Sequence, residues 1–230
     1  MENKCAALER WSGNPPTTAA EEAWLRDQIE LVRSLLADEE PSYAAVAPAG
    51  APIVFLDVDD VLCLSNPYGS RDARDAVMGT YVNPERLYRE LFHAAAVAVL
   101  HQMHFLLDGH VRYVISSTWR ELLTRAQLRH VLREAGMGFV ADGIEDLARW
   151  ATPVLARPNR RLEIGQWLER HHRGEPFVVI DDVWSGALLL SGHADPVRIV
   201  LCKQAIGLLP GHLSELVPAL RTPKGDLESW

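Results

Sequence analysis

The sequence IVFLDVDDVL at residues 53–62 decides the fold, because an apolar strand ends there abruptly in clustered carboxylates. Ionised carboxylates crowded beside a buried strand repel one another and are poorly solvated, so a divalent hard cation is their natural partner. Asp57 and Asp59 have the same side-chain parity on an extended backbone, so both can face one ion or one phosphorus atom. A strand that ends in a simple acidic turn is the alternative, and a lone D-x-D leaves both interpretations open.

Three further apolar segments end in polar residues in the same way. They are 111–115 before Ser116, 177–180 before Asp181, and 197–201 before Cys202. Short apolar runs separated by helical stretches predict a parallel sheet that is buried on both faces. The predicted fold is therefore α/β, with three layers and helices on both faces of a parallel sheet. Ligands of such sheets bind beyond the carboxyl ends of the strands, so we expect Asp57, Ser116 and Asp181 to share one site.

Composition limits the functional classes. The 230 residues are 48% hydrophobic and can bury one core, and the net charge of -8 argues against broad affinity for nucleic acid or anionic membranes. No stretch approaches the ~18 consecutive apolar residues of a membrane span, and the first residues lead into no signal-peptide core. These features predict a cytoplasmic protein. The three cysteines form no C-x-x-C pair, so they predict neither a disulfide framework nor a zinc site.

The chain divides into three predicted segments. Residues 1–50 form an N-terminal helical extension with an Ala- and Pro-rich linker, 51–222 form the core domain, and 223–230 form a tail. The extension contains a capping box and an apolar stripe that predict a helix at about 18–37. Contact between two copies of this helix is one way in which the protein could form a homo-oligomer. Further predicted elements are helices at about 83–107, 118–135, 160–171 and 213–220, and a short strand at 139–140.

The helix predicted from Thr118 begins beside Ser116 and Ser117. The free N–H groups and the dipole of a helix N-terminus attract phosphate, so this end of the sheet is suited to an anion. Arg120 lies next to the same position and is a candidate phosphate-binding residue.

Four motifs in order resemble the haloacid dehalogenase-like (HAD) phosphohydrolases. They are Asp57-x-Asp59, Ser116 after a second strand, Arg160-Arg161 at the start of a helix, and Asp181-Asp182 after a later strand. The sequences ISSTWR at 115–120 and EIGQWL at 163–168 are similar to a bacterial subgroup of that superfamily. The resemblance covers about 52–220 and implies a Rossmann-like catalytic domain. The intervals after Leu62 and Glu121 are too short for a large cap domain, so we expect an open site.

The resemblance implies a magnesium-dependent phosphatase that forms an aspartyl-phosphate. Asp57 would be the nucleophile, and Asp59 would act first as a general acid and then as a general base. Ser116 would donate to a phosphate oxygen, with Ser117 and Arg120 nearby. The Mg²⁺ ligands would be Asp57, the backbone carbonyl of Asp59, and Asp181, with Asp182 as a helper or ligand.

Two positions depart from the family pattern. Asp60 stands where the family usually has Gly, and Asp tolerates turn conformations better than most residues. The basic third motif is usually Lys, which is missing here, so Arg160 or Arg161 must neutralise the phosphate. We favour Arg161, because it lies three residues before the presumed core residue Ile164 and so on the same helical face.

The sequence does not fix the substrate. A phosphorylated small molecule and a macromolecular phosphate ester both fit an open site, and no membrane partner is expected. A nucleic-acid end remains an alternative that the net charge does not favour. Two other classes also stay open: a catalytically weak binding or regulatory module on the same fold, and a phosphotransferase or a phosphatase unit for nucleotide or nucleic-acid ends.

Overall fold

A computed structural model describes residues 50–190 and 196–223. The predicted N-terminal helix at 18–37 and the tail from residue 224 onward lie outside the described residues. Four strands form one sheet: β1 (Ile53–Leu56), β2 (Arg112–Ile115), β3 (Phe177–Asp182) and β4 (Ile199–Cys202). All neighbouring strands are parallel, in the order β2-β1-β3-β4. The predicted parallel sheet is confirmed.

Eight α-helices lie in the described residues. They are α1 (Ser70–Val77), α2 (Pro84–Glu90), α3 (Ala94–Leu106), α4 (Trp119–Leu122), α5 (Arg125–Glu134), α6 (Gly138–Gly143), α7 (Arg160–His171) and α8 (Leu213–Arg221). None of these helices is long and apolar enough to cross a bilayer.

Alternate strand residues pack into two separate hydrophobic clusters, one on each face of the sheet. On one face, α7 covers Phe55, whose ring meets the ring of Trp167 edge-on at 5.1 Å between centroids. On the other face, residues from the remaining helices, such as Ala73, Leu87 and Phe139, join the larger cluster. Burial of apolar surface on both faces stabilises the three layers at roughly 25 cal/mol per Å². The predicted α/β fold is confirmed, and the described residues between the strands form no large cap domain.

The helix predicted at 83–107 is in fact two helices. Asn83 caps the first as expected, because its side chain accepts a hydrogen bond from the N–H of Arg86 at 3.2 Å. The first helix ends at Glu90, and His93 has an extended backbone before α3 begins. The N–H of His93 donates to the carbonyl of Leu62 at 2.7 Å instead of to the preceding turn. This tertiary contact is not visible in the local sequence pattern.

The helix predicted at 118–135 is also divided, and the strand predicted at 139–140 is wrong. Leu123 is extended, and Thr124 forms a capping box that starts α5. Thr118 makes no capping bond. Residues 139–140 lie in α6, where Phe139 and Val140 pack against the core. Two apolar residues in a row do not distinguish a strand from one helical turn. Here the residues pack against α5 as a helix.

Two histidines, His101 and His104, are expected to make the fold sensitive to acid. Burial lowers the pKa of His104 to about 3 and that of His101 to about 4, and both rings contact Phe139. A His with a depressed folded-state pKa contributes its full stability above its unfolded pKa and loses it as the pH falls toward the folded value. At a pH below the lowered pKa of His104, its protonation opposes folding by on the order of 5 kcal/mol. We expect His104→Phe to lower the midpoint pH of acid unfolding, measured by circular dichroism, whereas His130→Phe on the exposed face of α5 serves as the control. Equal midpoints for both variants would refute this assignment.

Candidate active site

The ends of three adjacent strands bring the predicted residues together. The N–H of Asp57 donates to the carbonyl of Ile180 at 3.0 Å, and the N–H of Ser116 donates to the carbonyl of Leu56 at 3.0 Å. Asp57, Ser116 and Asp181 are all buried and lie side by side across the sheet. The parallel register therefore builds the juxtaposition that the sequence predicts.

Three carboxylates form a group suited to a metal ion. Ligand atoms of Asp57, Asp181 and Asp182 all lie within 4.8 Å of one another, and all three side chains are buried. Asp182 is oriented by the N–H groups of Trp184 and Ser185, which donate to its Oδ1 at 2.7 and 3.1 Å. Carboxylate oxygens are the ligands that Mg²⁺ prefers, so the donor set fits this ion.

The electrostatics of this group also fit a cation. Burial raises the pKa of Asp57 well above its ordinary value, and repulsion from Asp181 adds to the increase. Burial likewise raises the pKa of Asp181 to about 6, although Arg160 acts in the opposite direction. The negative charges are therefore undercompensated by the protein's own groups, and a divalent cation at this position would stabilise their ionised forms.

Arg160, the first residue of α7, reaches both central carboxylates. Its Nε donates to Oδ2 of Asp181 at 2.8 Å, and its Nη2 lies 3.4 Å from Oδ1 of Asp57. Arg161, the next residue of α7, is only partly buried, whereas Arg160 is buried beside the two carboxylates. The sequence-based preference for Arg161 overlooked that Arg160 shares a face with Ile164 at the i, i+4 spacing. Helical side chains also lean toward the helix N-terminus, so the guanidinium of Arg160 extends past the N-terminal end of α7.

A buried carboxylate that the sequence did not single out connects two arginines. Oε2 of Glu163 accepts from Nη2 of Arg120 at 2.9 Å and lies 3.4 Å from Nη1 of Arg160. Arg120 also donates to the carbonyl of Ser117. The guanidinium of Arg120 is thus engaged in bracing the loop after β2 against α7. Nothing in the local sequence pattern distinguishes Glu163 from an ordinary acidic residue in a first helical turn.

The carboxylate of Asp59 does not belong to the group of Asp57, Asp181 and Asp182, because other residues hold it. Its two carboxylate oxygens accept from Nε1 of Trp119 at 2.9 Å and from the hydroxyl of Thr118 at 3.2 Å. Burial raises its pKa, and these two hydrogen bonds oppose the increase. Thr118, which the sequence suggested as a helix cap, therefore orients Asp59.

Two buried hydroxyls at the same edge have no hydrogen-bond partner within the described residues. They belong to Ser116 and Thr152. The N–H of Thr152 donates to the carbonyl of Ile115 at 3.0 Å, which places Thr152 beside Ser116. Ser117 instead hydrogen-bonds to Asp57 and lowers its pKa. An unsatisfied buried hydroxyl is costly, and an oxygen of a bound phosphate would satisfy that of Ser116.

Asp60 occupies the left-handed region that the family's usual Gly would occupy. Its φ is 56°, and its Oδ1 accepts a hydrogen bond from the N–H of Ala205 at 2.8 Å. The expectation that Asp tolerates this turn agrees with the geometry.

The parallel sheet with carboxylates at its edge agrees with a HAD-type domain, and comparison of the sequence with family models leads to the same class. The model for HAD domains in Swiss Army Knife RNA repair proteins matches residues 53–213. This is more than half of the chain, so the chain belongs to this family of the HAD superfamily. Comparison with curated proteins and comparison with solved structures gave no match.

Proposed function

We propose that this protein is a magnesium-dependent phosphatase that hydrolyses phosphate esters through an aspartyl-phosphate on Asp57. The observation that carries the proposal is the contact of Arg160 with both Asp57 and Asp181. This contact puts a fixed positive charge beside the nucleophile, at the place where a phosphate would dock. Because residues 50–190 and 196–223 form no large cap domain, we expect the substrate to reach an open site.

The chain supplies a group for each step. A carboxylate oxygen of Asp57 attacks phosphorus, and the bond from phosphorus to the ester oxygen breaks. Asp59 donates its proton to that leaving oxygen, and its raised pKa suits this role. The Asp59 carboxylate then removes a proton from water, whose oxygen attacks phosphorus. Inorganic phosphate leaves, and the carboxylate of Asp57 is restored.

The remaining residues hold the phosphate and the metal. Arg160 and the hydroxyl of Ser116 would neutralise and orient the phosphate oxygens, while Arg120 positions Arg160 through Glu163. Asp57, Asp181 and Asp182 would hold Mg²⁺, with the backbone carbonyl of Asp59 as a further ligand. When bound, Mg²⁺ supplies positive charge against the phosphate oxygens.

A phosphate at a nucleic-acid end is the second candidate substrate. The family description refers to RNA repair, and a site without a large cap domain, as the described residues form it, would admit a polymer end. The net charge of -8 acts against general affinity for polyanions, so recognition would depend on local contacts.

A substrate panel tests the proposal. We expect phosphate release from an aryl phosphate, a nucleotide or a phosphate-ended oligonucleotide that requires Mg²⁺ and stops when EDTA is added. The preferred substrate would appear as the highest kcat/KM. If no substrate is turned over with Mg²⁺, the phosphatase assignment fails and a binding or regulatory module becomes the better interpretation.

A further inference from the structure

One large aromatic side chain is exposed at the edge of the active site. Trp184 follows the metal-binding group by two residues, and 82% of its surface is accessible. Trp119 and Trp167, by contrast, are buried in the core. An exposed indole at this position offers a large aromatic face to a ligand that docks at the adjacent carboxylates.

The backbone fixes Trp184 in relation to the catalytic carboxylates. The N–H of Trp184 and the N–H of Ser185 both donate to Asp182, and the N–H of Gly186 donates to the carbonyl of Asp182 at 2.8 Å. A Cβ on Gly186 would lie 2.8 Å from the backbone carbonyl oxygen of Asp182, which cannot move aside, so this turn favours glycine. The indole is therefore carried by a tight turn attached directly to a candidate metal ligand.

We propose that Trp184 is a specificity-determining residue that stacks on the base next to the terminal phosphate of a single-stranded polynucleotide. This inference rests on the proposed function, because the phosphate must first dock at Asp57. A base lies one sugar away from its phosphate, and the backbone N–H of Trp184 lies 2.7 Å from Oδ1 of Asp182 in the metal-binding group. Stacking tolerates any base, because every base has a π-face.

The overall charge of the chain supports stacking over ionic recognition. An acidic protein cannot concentrate a polyanion through a basic field, so its affinity for a strand end beyond the docked terminal phosphate depends on local contacts. A base on Trp184 is such a contact. The contribution of Trp184 to binding should therefore persist at high ionic strength, where the phosphate contacts weaken.

Another protein chain is the alternative partner for the surface around Trp184. Leu188 and Leu190 are also exposed, so this surface could instead pack against another protein chain, such as a second copy. A protein contact would make the oligomeric state depend on Trp184. Gel filtration of the wild-type protein and Trp184→Ala distinguishes the two, and loss of a dimer in the variant would overturn the stacking proposal.

The decisive experiment measures binding without turnover. In the Asp57→Asn background with Mg²⁺, fluorescence anisotropy follows a phosphate-ended oligoribonucleotide that is labelled at its far end. Adding Trp184→Ala should raise the Kd about 10-fold, the scale of one lost base stack, and Trp184→Phe should retain most of the affinity. Phe105→Ala is the matched control. Phe105 is 76% exposed near the C-terminal end of α3, which precedes the amino end of β2, whereas the site lies at the carboxyl ends of the strands.

The outcomes separate this inference from the proposed function. Equal Kd values for the Trp184→Ala and Phe105→Ala variants, or no binding by the Asp57→Asn parent, would overturn the stacking role. Hydrolysis by the wild-type protein with no effect of Trp184→Ala would leave the phosphatase intact and remove only the stacking. Weaker binding by Trp184→Ala in a protein that hydrolyses no phosphate would retain the stacking and reject the phosphatase.

Discussion

Asp57→Asn is expected to reduce phosphate release by on the order of 10⁴-fold or more, the scale of removing a catalytic nucleophile. The amide has nearly the same shape as the carboxylate but lacks the charge that attacks phosphorus. The measurement is steady-state turnover with Mg²⁺ on the best substrate of the panel.

The same substitution should make the protein more stable when EDTA is present. Burial and Asp181 raise the pKa of Asp57, so its ionised form is unfavourable in the fold near neutral pH. Asparagine removes that charge, and the melting temperature should rise while activity disappears. Near wild-type turnover in this variant would exclude a covalent mechanism through Asp57.

Arg160→Ala is expected to lower kcat about 100-fold or more, the scale of losing one electrostatic donor in the transition state. Unlike Asp57→Asn, it should also lower stability in EDTA by about 3 kcal/mol, because Asp57 and Asp181 lose their buried partner. Kinetics with Mg²⁺ and urea unfolding without it measure the two effects separately.

Arg161→Ala is the matched control, since it removes the same charge one residue further along α7. We expect it to keep most of the activity. Arg160→Lys should recover only part of the loss, because the donors of an ammonium group all start from one nitrogen and cannot reproduce the separate Nε and Nη2 contacts of the guanidinium. A large loss for Arg161→Ala together with an active Arg160→Ala would restore the sequence-based preference.

The sheet and its active edge could be predicted from sequence because their signals are local. Each strand is an apolar run that ends in a polar residue, and parallel strands bring such ends to one edge. Asp57, Ser116 and Asp181 therefore lie together as expected, although their catalytic roles stay proposals.

The hydrogen bonds and ion pairs that hold the site residues in place could not be predicted, because they join segments that are distant in the sequence. Glu163 joins Arg120 to Arg160, and Trp119 fixes Asp59 across 60 positions of sequence. The helix breaks at His93 and Leu123 have the same origin, since tertiary packing overrides a continuous helical pattern. The choice between adjacent arginines required the orientation of the helix end, which spacing alone leaves ambiguous.

The hydrogen bond between Asp60 and Ala205 links the loop after β1 to the loop after β4. A glycine at position 60 would adopt the same left-handed backbone at less cost but would give up this link. The two loops are thus mechanically joined, and residues 203–207 become part of the frame that holds the nucleophile. Variation in that short segment can alter catalysis from a distance, with every reacting group left in place.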